Sequence, residues 1–72
     1  MTRTKKELKQ IAQRALERRY GFAPALNRIE LLETFSDGTY MLFRVGVVEY
    51  RFESHYKSDG TLWIDEYCVS RI

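Results

Sequence analysis

The sequence has one cysteine, Cys68, one histidine, His55, and one proline, Pro24. A single cysteine excludes an intrachain disulfide as a brace for so short a chain. One cysteine and one histidine cannot supply the four ligands of a usual structural zinc site. No metal and no cofactor is therefore expected. No apolar run approaches the roughly 18 residues of a membrane-spanning helix, so no membrane partner is expected. The N-terminus, MTRTKKELK, is charged and lacks the apolar segment of a secretory signal. A lone thiol fits a reducing compartment, and the expected location is the cytoplasm.

Aromatic residues are plentiful by contrast: Tyr20, Phe22, Phe35, Tyr40, Phe43, Tyr50, Phe52, Tyr56, Trp63 and Tyr67. A chain of 72 residues makes one domain and buries only a modest part of its surface. Dense aromatic packing or self-association has to supply the remaining stability. The net charge of +2 conceals a split. Residues 1–20 carry Arg3, Lys5, Lys6, Lys9, Arg14, Arg18 and Arg19 against only Glu7 and Glu17, while acids outnumber bases in the rest.

The basic segment reads as a helix over about 5–20. Leu8, Ile11, Ala12, Ala15, Leu16 and Tyr20 recur at the spacing of one helical face. Thr4-Lys5-Lys6-Glu7 matches a capping box. Gly21 suits a left-handed helix end, and Pro24 prevents resumption.

Everything after Leu26 reads as strand, rich in aromatic and β-branched residues. Breaks at Ser36–Gly38, Gly46 and Ser58–Gly60 divide it into strands over about 27–35, 39–45, 48–56 and 61–69. Such short connections join antiparallel neighbours. The expected fold is α+β: one N-terminal amphipathic helix packed on one face of a four-stranded antiparallel meander, in order 1-2-3-4.

The tetrapeptide Ser-Asp-Gly-Thr occurs at 36–39 and again at 58–61. A paired ion-binding loop is one reading. Each copy has a single carboxylate, however, whereas a calcium loop alternates several acids over about twelve residues. Neither copy opens a helix as a phosphate loop does. Both are read as hairpin turns, with glycine at the position needing positive φ.

Register follows from the turns. A Gly46-Val47 type II′ turn sets Val45 opposite Val48, Phe43 opposite Tyr50 and Met41 opposite Phe52, with Arg44 meeting Glu49 on the other face. A three-residue first loop puts Ile29, Leu31 and Phe35 on the apolar face, together with Glu33. The last hairpin allows two phases: Leu62 and Ile64 toward the helix, or Trp63, Tyr67 and Val69. The second is preferred, because it clusters aromatics.

His55 invites pairing with Asp65, Glu66 or Cys68 as a catalytic set. The plainer reading is an exposed histidine alternating with Glu53 and Arg51, because a small sheet offers no deep cleft. Asp65 and Glu66 are adjacent and point to opposite faces of a strand, and Cys68 reads as a small packed hydrophobe. No enzyme activity is expected. Two binding readings remain. The sheet face away from the helix carries Leu32, Tyr40 and Leu42, plus either Leu62 and Ile64 or Trp63 and Tyr67, among Arg28, Glu30, Arg44, Glu49, Arg51, Glu53 and His55. An apolar island ringed by charge suits a protein partner or a second copy, with Leu32, Tyr40, Leu42, Arg44 and Arg51 as candidate contacts. The strands at either end of the sheet are open edges as well. The alternative is nucleic-acid binding by the helix through Arg3, Lys5, Lys6, Lys9, Arg14 and Arg18. Spaced at about 100° per residue, those cations form a rim around the apolar stripe, not a strip.

Overall fold

The computed structural model describes residues 2–65 and 67–72. Helix α1 spans Lys5–Tyr20. Its start is fixed locally: the Glu7 N–H donates to Thr4 Oγ1 at 3.1 Å, and the Thr4 N–H donates to Glu7 Oε1 at 2.9 Å. Its end is a left-handed Gly21, whose N–H donates to the Glu17 carbonyl. Leu8, Ile11, Ala12, Ala15 and Leu16 are buried along one stripe, as their spacing predicts.

Among the described residues six strands follow: β1 (Ile29–Thr34), β2 (Tyr40–Val45), β3 (Val48–Glu53), β4 (His55–Tyr56), β5 (Leu62–Trp63) and β6 (Val69–Arg71). The main sheet is antiparallel, in order β1-β2-β3-β6, and β4 pairs with β5 in a separate two-stranded ladder. The α+β architecture is therefore as expected, with β6 in the fourth place. The helix covers the inner face of the sheet, where Ile29, Met41, Phe43, Tyr50, Phe52 and Val69 complete the core.

The middle hairpin has the expected register: Val45 opposite Val48, Phe43 opposite Tyr50, Met41 opposite Phe52. Arg44 stands opposite Glu49, but its guanidinium turns to the other neighbour and pairs with Glu30 at 2.7 Å.

The outer strands depart from expectation in three places. First, β1 begins at Ile29, because a short 3-10 turn over Leu26–Arg28 comes before it. The Arg28 N–H donates to the Ala25 carbonyl at 2.9 Å, so Arg28 is not on the sheet. Second, a bulge lies between Leu31 and Glu33. Leu32 and Glu33 together oppose Leu42, so Glu33 leaves the apolar face that simple alternation assigns to it. Phe35 leaves it too: it is 58 % exposed, and its ring lies 5.2 Å from that of Tyr40. Third, the stretch expected as one strand over 61–69 is two. The Asp65 carbonyl and side chain accept from the Cys68 and Tyr67 N–H groups, closing a turn that resets the phase. Leu62 and Ile64 thereby pack on the core, and so does Val69, opposite Phe52. The preferred placement of Trp63 and Tyr67 in the core under the helix is not what the chain adopts, since they are 39 % and 76 % exposed.

Both Ser-Asp-Gly-Thr copies are turns. The Gly38 N–H donates to the Phe35 carbonyl and the Gly60 N–H to the Lys57 carbonyl, with φ of 82° and 86° at the two glycines. Asp37 Oδ1 accepts from the Thr39 N–H and hydroxyl, and Asp59 Oδ1 from the Thr61 N–H. The first loop is one residue longer than expected, because the Phe35 N–H reaches the Tyr40 carbonyl.

These N–H donors stabilise the ionised carboxylates. Asp37 and Asp59 are held below their ordinary pKa of 3.8, chiefly by the backbone N–H groups of Thr39 and Thr61. Glu7 is held below 4.5, first by the Thr4 N–H. A lowered folded-state pKa contributes stability that is present above the unfolded value and lost as pH falls through the folded one. The melting temperature should therefore hold steady down to about pH 5 and decline below about pH 4. In Asp37→Asn/Asp59→Asn, thermal melts should match the parent near neutrality, because Asn accepts the same bonds, and decline less steeply in acid. An acid decline unchanged by the double substitution would mean that these turns do not contribute to it.

Candidate functional site

The outer face of the main sheet carries Tyr40, Leu42 and Arg44 from β2 and Glu49, Arg51 and Glu53 from β3, because these alternate with the buried residues of the same strands. Edge strand β1 adds Glu30 and the bulged pair Leu32–Glu33. Arg44 is bound to Glu30, and Arg51 lies 3.6 Å from Glu53. Leu32 is 41 % exposed, Leu42 is half-buried, and the Phe35–Tyr40 ring pair closes one end. All five candidate contacts thus share one surface, and Phe35 joins them. That surface is smaller than expected at its far end. Leu62 and Ile64 turn into the core, and Trp63 and Tyr67 lie across from Arg18 on the helix side.

The edges are less open than expected. Strand β1 is interrupted by its bulge, and β6 has only three residues. Both features blunt strand-to-strand pairing, so the face rather than the edge is the available surface.

The helix cations divide into two groups. Lys5 and Lys9 border a cleft of about 380 Å³ on the β1 side, with Asn27, Ile29, Glu30 and Leu31. Arg3 and Arg14 border one of about 330 Å³ on the β4–β5 side. Lys6 is exposed. Arg3 is partly committed, since its Nε donates to the Asp37 carbonyl at 2.8 Å. The second group has company that the linear sequence does not show. Past Ile64 the same side continues as a cleft of about 340 Å³ lined by Arg18, Trp63, Asp65 and Tyr67. Arg19 lies 5.6 Å from the Tyr67 ring centre and 5.7 Å from that of Tyr20, and Arg71 lies 5.3 Å from Tyr20.

His55 is exposed on β4, not on β3, and meets Trp63 edge-on at 4.6 Å between ring centres. Cys68 is half-buried, with its thiol 3.9 Å from the Trp63 carbonyl. Glu66, the third residue considered with them, lies outside the described residues. Among the described residues no three histidine, cysteine or acidic side chains gather as a metal site would require, and no helix is long and apolar enough to cross a membrane. Comparison with protein-family models, with curated proteins and with solved structures finds no match to this chain.

Proposed function

We propose that this chain is a binding and assembly module that self-associates through the outer face of its sheet. One observation carries the reading. The face opposite the helix presents Leu32, Leu42 and the Phe35–Tyr40 pair inside a ring of both charge signs, while α1, Leu62 and Ile64 all pack on the inner side. A ring holding Arg44 and Arg51 together with Glu30, Glu49 and Glu53 is suited to meet its own copy across a two-fold axis, where each base faces an acid. The core supports the same reading. Among the described residues it holds eleven buried hydrophobic side chains, and covering a second apolar surface adds stability that a domain of this size otherwise lacks.

Leu42→Lys tests it. The side chain lies on the outer side of an interior strand, so the variant should stay folded. The parent should gain mass with concentration by sedimentation, and that rise should disappear in the variant. A parent that remains monomeric across the series, or a variant that associates as well as the parent, removes self-association through this face. A foreign protein captured by the parent and lost in Leu42→Lys would replace the second copy as occupant.

A further inference from the structure

The cleft between α1 and the β4–β5 hairpin brings together residue types that the linear sequence keeps far apart. One wall is the helix. Arg14 and Arg18 lie one turn apart on it, and from Glu7 to Arg18 this wall is about 16 Å long. The opposite wall is made by residues 60–65 and Tyr67, and Ile64 lines both parts of the cleft. Trp63 and Tyr67 are both substantially exposed at the Arg18 end. Burying either aromatic would have been favourable, yet the turn at Asp65 spends the inward positions on Leu62 and Ile64. Arg19 packs over the Tyr67 ring, and with the ring 76 % exposed ample surface is left for a second planar group. Two carboxylates line the cleft as well. Glu7 accepts from the Thr4 N–H and Asp65 from the Tyr67 N–H, which orients both carboxylates without cancelling their charge.

We propose that this cleft binds single-stranded nucleic acid, with bases stacking on Trp63 and Tyr67 and the phosphates meeting Arg14 and Arg18. Exposed rings beside arginines are the two ingredients of sequence-tolerant single-strand binding. A duplex hides its base faces and has no use for the rings. An acidic peptide would use the arginines but leave the rings without stacking partners. The site differs from a generally basic helix, because Lys5 and Lys9 border the opposite side and take no part.

Trp63 is the only tryptophan, so its fluorescence reports stacking directly. Titration of the folded full chain with a short oligothymidylate at low salt should quench Trp63 to saturation, and the affinity should fall steeply as salt is added. Arg18→Glu and Tyr67→Ala should each weaken binding by about tenfold. Both residues are exposed, and an unchanged melting temperature would certify that the fold is intact. Lys5→Ala/Lys6→Ala/Lys9→Ala should bind within about threefold of the parent. Four results would overturn the assignment: no quenching at low salt, equal binding of a blunt duplex of the same length, equal quenching by polyglutamate, or loss of binding only in the lysine triple variant. The third would make the cleft an acidic-peptide site. The fourth would return binding to the helix surface alone.

Discussion

Gly38→Val is expected to destabilise the fold by about twice as much as Gly60→Val, although the two glycines occupy the same tetrapeptide. Both have positive φ, at 82° and 86°, so a branched residue strains the backbone at either one, by roughly 1–3 kcal/mol. The surroundings differ. A Cβ on Gly60 meets nothing within 4 Å. On Gly38 it stands 2.9 Å from Ile11 Cδ1, 3.1 Å from Arg3 Cδ and 3.3 Å from Leu8 Cδ2. Ile11 and Leu8 are each 5 % exposed, so their side chains have little room to yield to the new group. Overpacking of this kind adds roughly 1–3 kcal/mol. The first turn is also tied to the start of the helix, since the Arg3 N–H donates to the Ser36 carbonyl at 2.8 Å and the Tyr56 hydroxyl lies 3.3 Å from the Asp37 carbonyl. A domain of this length holds only about 4–11 kcal/mol in all. Urea midpoints of the two variants compare the sites directly, and Gly38→Ala serves if the valine variant does not fold. Equal losses at the two sites would mean that the helix is not seated on the first turn.

This contrast shows how far the sequence could be read. Helix ends were legible because capping is local: Thr4, Glu7 and Gly21 act within a few residues of the backbone groups they satisfy. The middle hairpin was legible because a two-residue turn leaves a single register. Legibility ended where residues answer to distant partners. Two copies of one tetrapeptide make equally good turns, and only the tertiary fold buries Gly38 and leaves Gly60 in the open. In β1, alternation places Glu33 against the helix, and the bulge at Leu32 removes a carboxylate from the core with a backbone irregularity that the string Leu31-Leu32-Glu33 does not announce. In the last segment, two hydrophobic phases compete. The chain uses both, changing phase at the Asp65 turn, which has a local signal in Asp65 itself. Tyr40, Leu42, Arg44 and Arg51 share the outer face as expected because they belong to the one hairpin whose register its turn fixes. The arginine–aromatic cleft was not legible, because it exists only once the hairpin lies alongside the helix.

Phe43→Ala should bring the domain close to unfolding. Phe43 is fully buried and stacks on Tyr50 at 5.4 Å, with 19° between the rings, and Tyr50 in turn lies 5.8 Å from Tyr20 of the helix. The ring therefore links β2, β3 and α1, and Leu31 of β1 pairs with the same residue. Truncating such an aromatic costs roughly 3–5 kcal/mol, about half of what the whole domain has. Phe43→Lys should be worse, because it places a charge where the described core holds no buried polar side chain to receive it. Leu42, one residue away on the same strand, should accept lysine without loss of fold. The two positions share backbone geometry and strand propensity, so the difference between them isolates the face each side chain occupies. Far-UV circular dichroism melts and the dispersion of amide proton signals read that difference. A folded Phe43→Lys beside an unfolded Leu42→Lys would invert the sheet, and the outer-face interface would then be the core.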